Sequence, residues 1–533
     1  MINYHSHRLA QSFSDILLLA RSKDSFASAK SAIVAATVLG IWLTGVIFTA
    51  TRHEFWRDEV RALSLARAAI SPLDLYGLTQ YDGHPILWFL LLYIGQSIVD
   101  TLLVLPVTSI IIAFAAVAVC IFFSPFPFWL RCLFIFSALP FYEYSVMARN
   151  YGISMLLLFV GAVLYRNRAQ YPLSLAFVLA LLANTNVHSA ILASLIAVLW
   201  VWDTVVERRL ASVQGRGLSL YLPLAIVFAG VLLCVVFTIP RGNTILTSVR
   251  HSVSMRDLAS ALLDAGLRPD RTFSDLVPAA LPLSVAAALL SLAAFGLLYR
   301  PHLLLAALSG QIAFGVLFRV VYGGEYRHQG LFLVFLLFLY WLFIESLNNG
   351  AMTKTKHLLF NMGLYVAMLF LIVGQVAKTK SAVWTDISLE RSSSKALGEF
   401  LNRSETYREA VIVPEPDFLL ESLPYYAKNR IYLPREHRFG STVSWTTEAN
   451  PRLSLGELLS VARGIKAHYG QPVLIVLGHW DVHKYKSGER KYAYHKVFSW
   501  NTNEAADFNE STILVREFQS AYTDENYSVY TLK

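Results

Sequence analysis

Long apolar runs dominate the first two thirds of this sequence and limit what it can fold into. Runs of about 20 residues, the length that a helix needs to cross a bilayer, recur from Ser31 to about Ala377. With 55% apolar and only 15% charged residues, the chain is far more hydrophobic than a soluble protein of 533 residues. The pattern therefore predicts a mainly α-helical, polytopic membrane protein.

The composition changes near residue 377, and this change predicts two domains. Residues 1–377 are expected to form the membrane domain, with a first outer loop at residues 52–101. Residues 378–533 alternate between helical stretches (385–402 and 454–468) and short apolar strands (411–413, 473–477, 512–515 and 527–532). This alternation predicts a small soluble α/β domain with a mainly parallel sheet, in which the loop at 478–481 follows a strand where ligands often bind.

Basic residues in the loops orient the predicted spans. Residues 1–32 carry four arginines and lysines, which favours a cytoplasmic N-terminus. The apolar segment 85–99 is short for a span, and three further basic loops lie inside if it does not cross. We therefore predict eleven spans and an extracytoplasmic domain at residues 378–533. The spans are 32–51, 102–123, 126–142, 150–165, 172–185, 187–202, 219–239, 278–298, 302–321, 328–347 and 358–377.

The first outer loop is expected to hold two juxtamembrane helices. Residues 57–70 place apolar side chains at helical spacing on one face, which is typical of a helix lying in the membrane interface. Residues 85–99 begin with a proline, a residue favoured at the first helical position. We expect this second helix to lie in, or dip into, the outer leaflet.

The net charge of +9 does not indicate a nucleic-acid partner, because the basic residues are scattered between apolar segments. Contact with membrane lipids and phosphates is the better interpretation. There is no lysine between Ser31 and Thr353, so the basic residues there, histidine aside, are all arginine. Arginine binds phosphate through a planar fork, although an arginine-rich genome would give the same bias.

Five polar clusters fall at the outer ends of the predicted spans. Ionisable groups at membrane depth are costly, so their gathering on one face indicates a functional site. Each cluster alone has a simpler explanation, since Asp58 could pair with Arg61 and Glu325 with Arg327. The clusters are Asp58-Glu59, Asp82-Gly83-His84, Glu143 with Arg149-Asn150-Tyr151, His188, and Glu325-Tyr326-Arg327-His328.

Short motifs carry a resemblance to a known family. An Asp-Glu pair follows the first span, Gly83-His84-Pro85 opens an apolar helix, and an Arg-x-Tyr motif lies at the entrance of a span. Over about residues 30–345 the sequence resembles the GT-C superfamily of membrane glycosyltransferases. It is most similar there to the group of protein O-mannosyltransferases and the lipid A aminoarabinose transferase. Ile86 departs from the pattern, because many members have a second proline at that position.

The resemblance implies transfer of a sugar, with inversion, from a polyprenyl-phosphate donor on the outer face of the inner membrane. It implies Asp58 as the central aspartate. It leaves open the sugar and the acceptor, which is a lipid, a polysaccharide or a protein of the cell envelope.

The chemistry of such a transfer assigns roles to the acids. A carboxylate must take the proton of the acceptor hydroxyl, and we expect Asp58 in this role with Glu59 beside it. A divalent cation (Mg²⁺ or Mn²⁺) between Asp58 and the phosphate is an option, with Asp82 as a further ligand. No ligand spacing in the sequence requires such a metal.

The leaving phosphate needs positive charge more than a proton. We expect Arg149 and Arg327 to bind it through paired hydrogen bonds, assisted by His84 or His328. Further residues are expected to line the site, although the aromatic ones would also fit an ordinary interface belt. These residues are Asp82, Glu143, Tyr151, His188, Glu325 and Trp88.

Two other classes of protein share some of these features. A transporter or flippase of a lipid-linked or anionic solute also lines its path with charged residues. Transporters tend to contain internal repeats, and no convincing repeat is found in this sequence. An envelope-assembly scaffold with a degenerate site is the third interpretation.

Overall fold

The computed structural model describes residues 29–210, 220–239, 243–244, 254–278, 280–347, 354–478, 486–492 and 495–533. The chain divides into two compact units. Unit 1 comprises Met1–Phe48, Ser109–Val236 and Val253–Ala382, and unit 2 comprises Thr49–Thr108, Phe237–Ser252 and Val383–Lys533. The first outer loop therefore groups with the C-terminal region. Two predictions fall outside the described residues. They concern the basic residues within positions 1–28, which orient the N-terminus, and positions 479–481 of the loop after a predicted strand.

The chain before the sheet region is helical. Prolines stand at the first positions of several helices, where a missing N–H costs nothing, as at Pro172 and Pro301. The helices are α1 Ala29–Ala50, α2 Arg57–Ala68, α3 Pro72–Thr79, α4 Leu87–Ile98, α5 Val104–Phe123, α6 Phe128–Ile135, α7 Tyr151–Arg166, α8 Pro172–Ala183, α9 Val187–Leu210, α10 Tyr221–Thr238, α11 Met255–Leu267, α12 Pro269–Thr272, α13 Leu283–Phe295, α14 Pro301–Val320, α15 Tyr326–Leu347, α16 Lys354–Asn361, α17 Leu369–Ser388 and α18 Ser394–Arg403.

Seven helices in the described part of the chain are long and apolar enough to cross a membrane. They coincide with predicted spans, and they confirm the membrane character of the sequence. Shorter apolar helices occupy Leu87–Ile98, Tyr151–Arg166, Pro172–Ala183 and Leu283–Phe295. The seven longer helices are Lys30–Ala50, Val104–Phe123, Val187–Val206, Tyr221–Thr238, Pro301–Val320, Tyr326–Leu347 and Leu358–Ser388.

One predicted span is not a continuous helix. Residues 126–142 form the eight-residue helix α6 and a separate π-helical turn at Leu139–Glu143. Pro140 removes a backbone donor and its ring clashes with the preceding turn, which explains why the apolar run does not continue as one helix beyond Ile135, whereas Pro127 lies at the N-cap of α6. The predicted count of eleven spans therefore stays a prediction.

Helix α15 forms the core of unit 1. All of its residues from His328 to Phe343 are buried, so the helix is covered on every side. It packs against α7 and α14. Its N-terminal turn, at Tyr326, carries polar residues of the candidate site described below.

Unit 2 is built on a four-stranded sheet with the order β1-β5-β9-β8, formed by β1 Val411–Glu415, β5 Val473–Gly478, β9 Tyr527–Leu532 and β8 Thr512–Phe518. Alternate residues of β1 and β5 enter different apolar clusters, so both faces of the sheet are buried. Helix α19 Leu455–Tyr469 packs on the sheet, and helix α20 Thr502–Ser511 precedes β8. A pair, β2 Tyr432–Leu433 and β3 Arg438–Phe439, and a small sheet of β4 Arg452–Ser454, β7 Val497–Trp500 and β6 Gly488–Lys491 complete the unit.

The strands occur where the sequence predicts them, but their direction differs. In the four-stranded sheet β1 and β5 pair in parallel, whereas β9 runs antiparallel to both β5 and β8. In the small sheet β4 and β7 pair in parallel, and β6 runs antiparallel to β7. The prediction of a mainly parallel sheet is therefore wrong. The predicted helix at 385–402 is also interrupted, because α17 ends at Ser388 and α18 begins at Ser394. Residues 454–468 form α19 as expected, and Ser454 caps it by accepting a hydrogen bond from the Glu457 backbone.

Candidate functional site

The predicted site residues fall into one group in each unit. Unit 2 contains the acids and the histidine of the first outer loop, and unit 1 contains the arginines and the remaining histidines. The two groups are described in turn. The predicted encounter between Asp58 and Arg149 involves residues of both units and stays a prediction.

Helix α2 carries Asp58 in its first turn. The Asp58 side chain is half-buried, and the partial positive charge of a helix N-terminus favours a carboxylate there. Its charge acts on the neighbouring Arg57 guanidinium. Asp58 is therefore an ionisable group at a fixed point of the first outer loop.

Glu59 is fully buried and is bound by His53. The Nε2 atom of His53 lies 3.0 Å from Glu59 Oε2, and its Nδ1 atom lies 2.7 Å from Asp386 Oδ2. Burial works against a charged imidazole, but the two carboxylates outweigh it and raise the pKa of His53 to about 9. Glu59 also accepts a bond from the Trp56 backbone N–H at 3.4 Å. These contacts give Glu59 a positioning role at the start of α2.

Arg57 connects the first turn of α2 to the residues that directly precede β9. Its guanidinium donates to both carboxylate oxygens of Asp524, at 2.6 and 3.0 Å. Its backbone N–H donates to Glu525 Oε1 at 2.9 Å. Burial raises the pKa of Glu525 to about 7, against the opposing effect of Arg57. The start of α2 is thus held by His53, which binds Glu59, and by Asp524 and Glu525, which bind Arg57.

Asp82 is bound by Arg61 rather than standing open to a metal. Arg61 Nε lies 2.5 Å from Asp82 Oδ1, and Arg61 Nη1 also donates to Glu421 and to the Val443 carbonyl. Burial raises the pKa of Glu421 to about 7, although Arg61 acts in the opposite direction. Among the described residues, no group of three or more His, Cys, Asp or Glu side chains could hold a metal ion.

His84 follows a turn that only glycine adopts easily. Gly83 has a φ of +71°, in the left-handed region that disfavours a side chain. The turn presents a half-buried His84 immediately before α4, and Trp88 is buried in the first turn of that helix. Trp88 is therefore a packing residue within unit 2.

In unit 1, the first turns of α7, α9 and α15 meet. The hydroxyl of Tyr151 lies 2.8 Å from His328 Nε2, and the hydroxyl of Tyr322 lies 2.8 Å from His188 Nε2. The two imidazole rings stack, with centroids 4.8 Å apart and an angle of 12° between their planes. Each helix adds the positive end of its dipole, so this meeting point suits an anion.

Both predicted arginines act at this point. Arg149 lies with its Cζ atom 5.9 Å from the centre of the Tyr151 ring. Burial raises the pKa of Tyr322, and the charges of Arg327 and Arg149 oppose that change, so both guanidinium groups are within electrostatic range of one hydroxyl. Glu325 neutralises part of this charge, because its Oε2 atom lies 2.5 Å from Arg327 Nη2.

A buried hydrogen-bond network includes the residues on both sides of His188 in the chain. The chain breaks between α8 and α9, as the polar residues at 184–186 predict. Asn186 donates to the Ser154 hydroxyl at 2.9 Å, and Ser189 donates to the same oxygen at 2.8 Å. Asn150 reaches the Thr185 carbonyl at 2.6 Å. Satisfied polar networks of this kind fix the geometry of neighbouring groups.

Glu143 belongs to a neighbouring cluster that the sequence did not predict. Its charge acts on the Lys378 ammonium group and on the Tyr326 hydroxyl. Lys378 Nζ lies 4.0 Å from the centre of the Tyr326 ring and donates to the Asp275 carbonyl. Glu143 is therefore within electrostatic range of a lysine, and its predicted grouping with Arg149 stays a prediction.

Tyr322, Asp386, Glu421 and Glu525 were missed as members of these clusters. Glu421 offered a signal, since it is the single acid within the run at 418–423, in which four of the six residues are apolar. The others became visible only through contacts between segments distant in the chain. Neither a protein-family model nor a curated protein matches this sequence.

Proposed function

We propose that this protein transfers a sugar, with inversion, from a polyprenyl-phosphate donor to an acceptor of the cell envelope. The observation that carries the proposal is the cluster in which His188 and His328 stack on each other and each is hydrogen-bonded to a tyrosine. Arg149 lies 5.9 Å from the ring of Tyr151, and Arg327 directly precedes His328 in the chain. This group combines guanidinium forks, hydroxyl donors and helix N-termini, all of which stabilise a phosphate anion. Apolar helices surround it in unit 1, which suits a donor with a lipid tail.

The proposed reaction needs a base and a stabilised leaving group. Asp58 takes the proton of the acceptor hydroxyl while the hydroxyl oxygen attacks the anomeric carbon from the side opposite the phosphate. The bond between the anomeric carbon and the phosphate oxygen breaks, and its electron pair leaves with the polyprenyl phosphate. Arg149 and Arg327 bind the phosphate whose negative charge grows in this step.

The surroundings of Asp58 support its assignment as the base. Its neighbours Arg57 and Glu59 are each engaged by named partners in unit 2. Arg61, one turn further on, is engaged by Asp82 and Glu421. The helix that carries Asp58 is therefore held in place, and a positioned carboxylate is what general base catalysis requires. Such a reaction would take place at the outer face of the inner membrane, with residues 383–533 on the same side.

The proposal is tested by supplying the purified protein, in lipid nanodiscs, with a labelled polyprenyl-phosphate sugar and an envelope extract as the acceptor. We expect Asp58→Asn to fold normally and to lose about a hundredfold or more of turnover, as for removal of a general base. Asp100→Asn is the matched control, because Asp100 lies in the same loop with its side chain 81% exposed.

Two outcomes would contradict this assignment. Full turnover in Asp58→Asn would show that Asp58 is not the general base. Movement of the intact labelled donor across a liposome membrane, without release of polyprenyl phosphate, would replace the transferase by a transporter or flippase.

A further inference from the structure

An open groove of about 610 Å³ lies in unit 2 between helix α2 and residues 424–441. Apolar side chains form much of its wall, with Val60 and Leu63 on one side, Leu102 at the edge, and Ile431 and Phe439 opposite. Its volume falls within the range of about 300–1,000 Å³ that is usual for small-molecule sites. The groove is therefore large enough for part of a lipid-sized ligand.

The charged residues that line the groove are all cations. They are Arg67, Lys428 and Arg430, and no carboxylate belongs to the lining. Arg67 pairs with Asp100 at 3.1 Å, but that carboxylate is largely exposed, so water weakens the pair. The guanidinium carbon of Arg430 lies 3.9 Å from the centre of the Phe439 ring, which fixes its position. The groove thus offers positive charge beside apolar walls.

Exposed apolar side chains lie close in the sequence to two of the segments that line the groove. Leu102 is followed by Leu103 and preceded by Ile98, which are 60% and 76% exposed. Beyond α2, Ile70 and Leu73 are 91% and 78% exposed. Apolar side chains gathered at a surface in this way are typical of a membrane or ligand contact.

We propose that this groove binds an anionic phospholipid of the surrounding membrane. Lys428 and Arg430 would contact the phosphate group, and the acyl chains would pass Leu102 towards the exposed surface at Ile98 and Leu103. Charge complementarity and the apolar side chains both require an amphiphile, whereas a free anion would leave the apolar walls unused.

This binding goes beyond the proposed transfer reaction. The residues of α2 that line the groove are Val60, Leu63, Ser64, Arg67 and Ala68. At 3.6 residues per turn the first four lie about 120–180° around the helix from Asp58, and Ala68, at the last position of the helix, lies about 80° from it. A lipid in the groove therefore faces away from Asp58, and its binding should not depend on that carboxylate.

Photo-crosslinking tests the proposal in the full-length protein. The protein in zwitterionic nanodiscs is titrated with phosphatidylglycerol that carries a diazirine on an acyl chain, and the adducts are located by peptide mass spectrometry. We expect saturable adducts on the peptides that contain residues 60–68, 98–103 and 425–441. In Lys428→Gln/Arg430→Gln, the half-saturating concentration should rise about thirtyfold, from about 1 kcal/mol for each cation near a membrane surface.

A control and a second variant separate lost charge from lost folding. Arg403→Gln/Lys491→Gln removes the same charge at two exposed positions outside the groove and should leave labelling unchanged. Ser441→Trp keeps both cations but fills the groove, so it should abolish these adducts.

Four results would overturn the proposal. Equal labelling by a phosphatidylcholine probe would show that the negative charge of the lipid does not determine binding. An equal loss in the control variant would show that Lys428 and Arg430 have no specific role. Unchanged adducts in Ser441→Trp would place the lipid elsewhere. Displacement of the probe by inorganic phosphate alone would replace the lipid with a free anion.

Discussion

The buried imidazole of His53 predicts a stability that depends on pH. Its position between Glu59 and Asp386 raises its pKa from 6.5 to about 9. Because the folded protein holds this proton more tightly, the stabilisation is fully present below pH 6.5 and is lost as the pH rises towards 9. At about 1.4 kcal/mol for each pKa unit, the loss is about 3 kcal/mol of unfolding free energy.

The assay compares wild type with His53→Gln by equilibrium unfolding in detergent between pH 6 and pH 9.5. Burial raises the pKa of Glu421 and of Glu525 to about 7, so these carboxyls change mainly below pH 7 and do so in both proteins. The difference between the two curves above pH 7 therefore isolates His53. We expect wild type to lose about 3 kcal/mol across the window and the variant to lose little of it.

His468→Gln, at an exposed histidine, serves as the control and should follow the wild-type curve. The variant His53→Gln should also be less stable than wild type near pH 6, by about 3–5 kcal/mol, because it removes the cation that binds two buried carboxylates and leaves Asp386 with the guanidinium of Arg391, 3.6 Å away. Parallel curves for wild type and His53→Gln between pH 7 and pH 9 would refute the reasoning.

Two further substitutions test the site and its support. Arg149→Lys keeps the charge but loses the planar fork, so the affinity for a polyprenyl-phosphate sugar should fall about tenfold in a binding titration, while Arg319→Lys at an exposed position leaves it unchanged; equal affinities would count against phosphate binding by Arg149. Arg61→Gln leaves Asp82 and the buried Glu421 without their cation, so the unfolding free energy should fall by about 3–5 kcal/mol. Arg403→Gln, on an exposed pair, should change it by less than about 0.5 kcal/mol, and equal losses in both variants would reject a structural role for Arg61.

Properties carried by one continuous segment could be predicted from the sequence. The long apolar helices follow from runs of suitable length, and the strands of unit 2 follow from short runs rich in valine, isoleucine and leucine. The interrupted segment 126–142 shows the limit of this reasoning. Hydrophobicity places a residue inside a membrane or a core, but it does not make a helix continuous across Pro140.

Properties that depend on pairing between distant segments could not be predicted. The positions of β5 and β9 do not reveal that they run antiparallel. The sequence also does not reveal that Asp82 pairs with Arg61, whose other partner, Glu421, lies 360 residues away in the chain. In contrast, the sequence allowed us to propose a group of Arg149, His188 and His328. Each of these residues lies at or just before the start of an apolar helix, and we predicted that these helices begin at the same membrane face.

The contact between Arg57 and Asp524 also has a consequence for biosynthesis. The two residues are 467 positions apart, and at translation speeds of about 5–20 residues per second the ribosome needs roughly half a minute to a minute and a half to cover that distance. During this interval Arg57 lacks Asp524, and Arg61 lacks Glu421 until that residue is made. The first outer loop therefore completes its contacts only after the C-terminal residues have been made, although it is among the first segments to be synthesised.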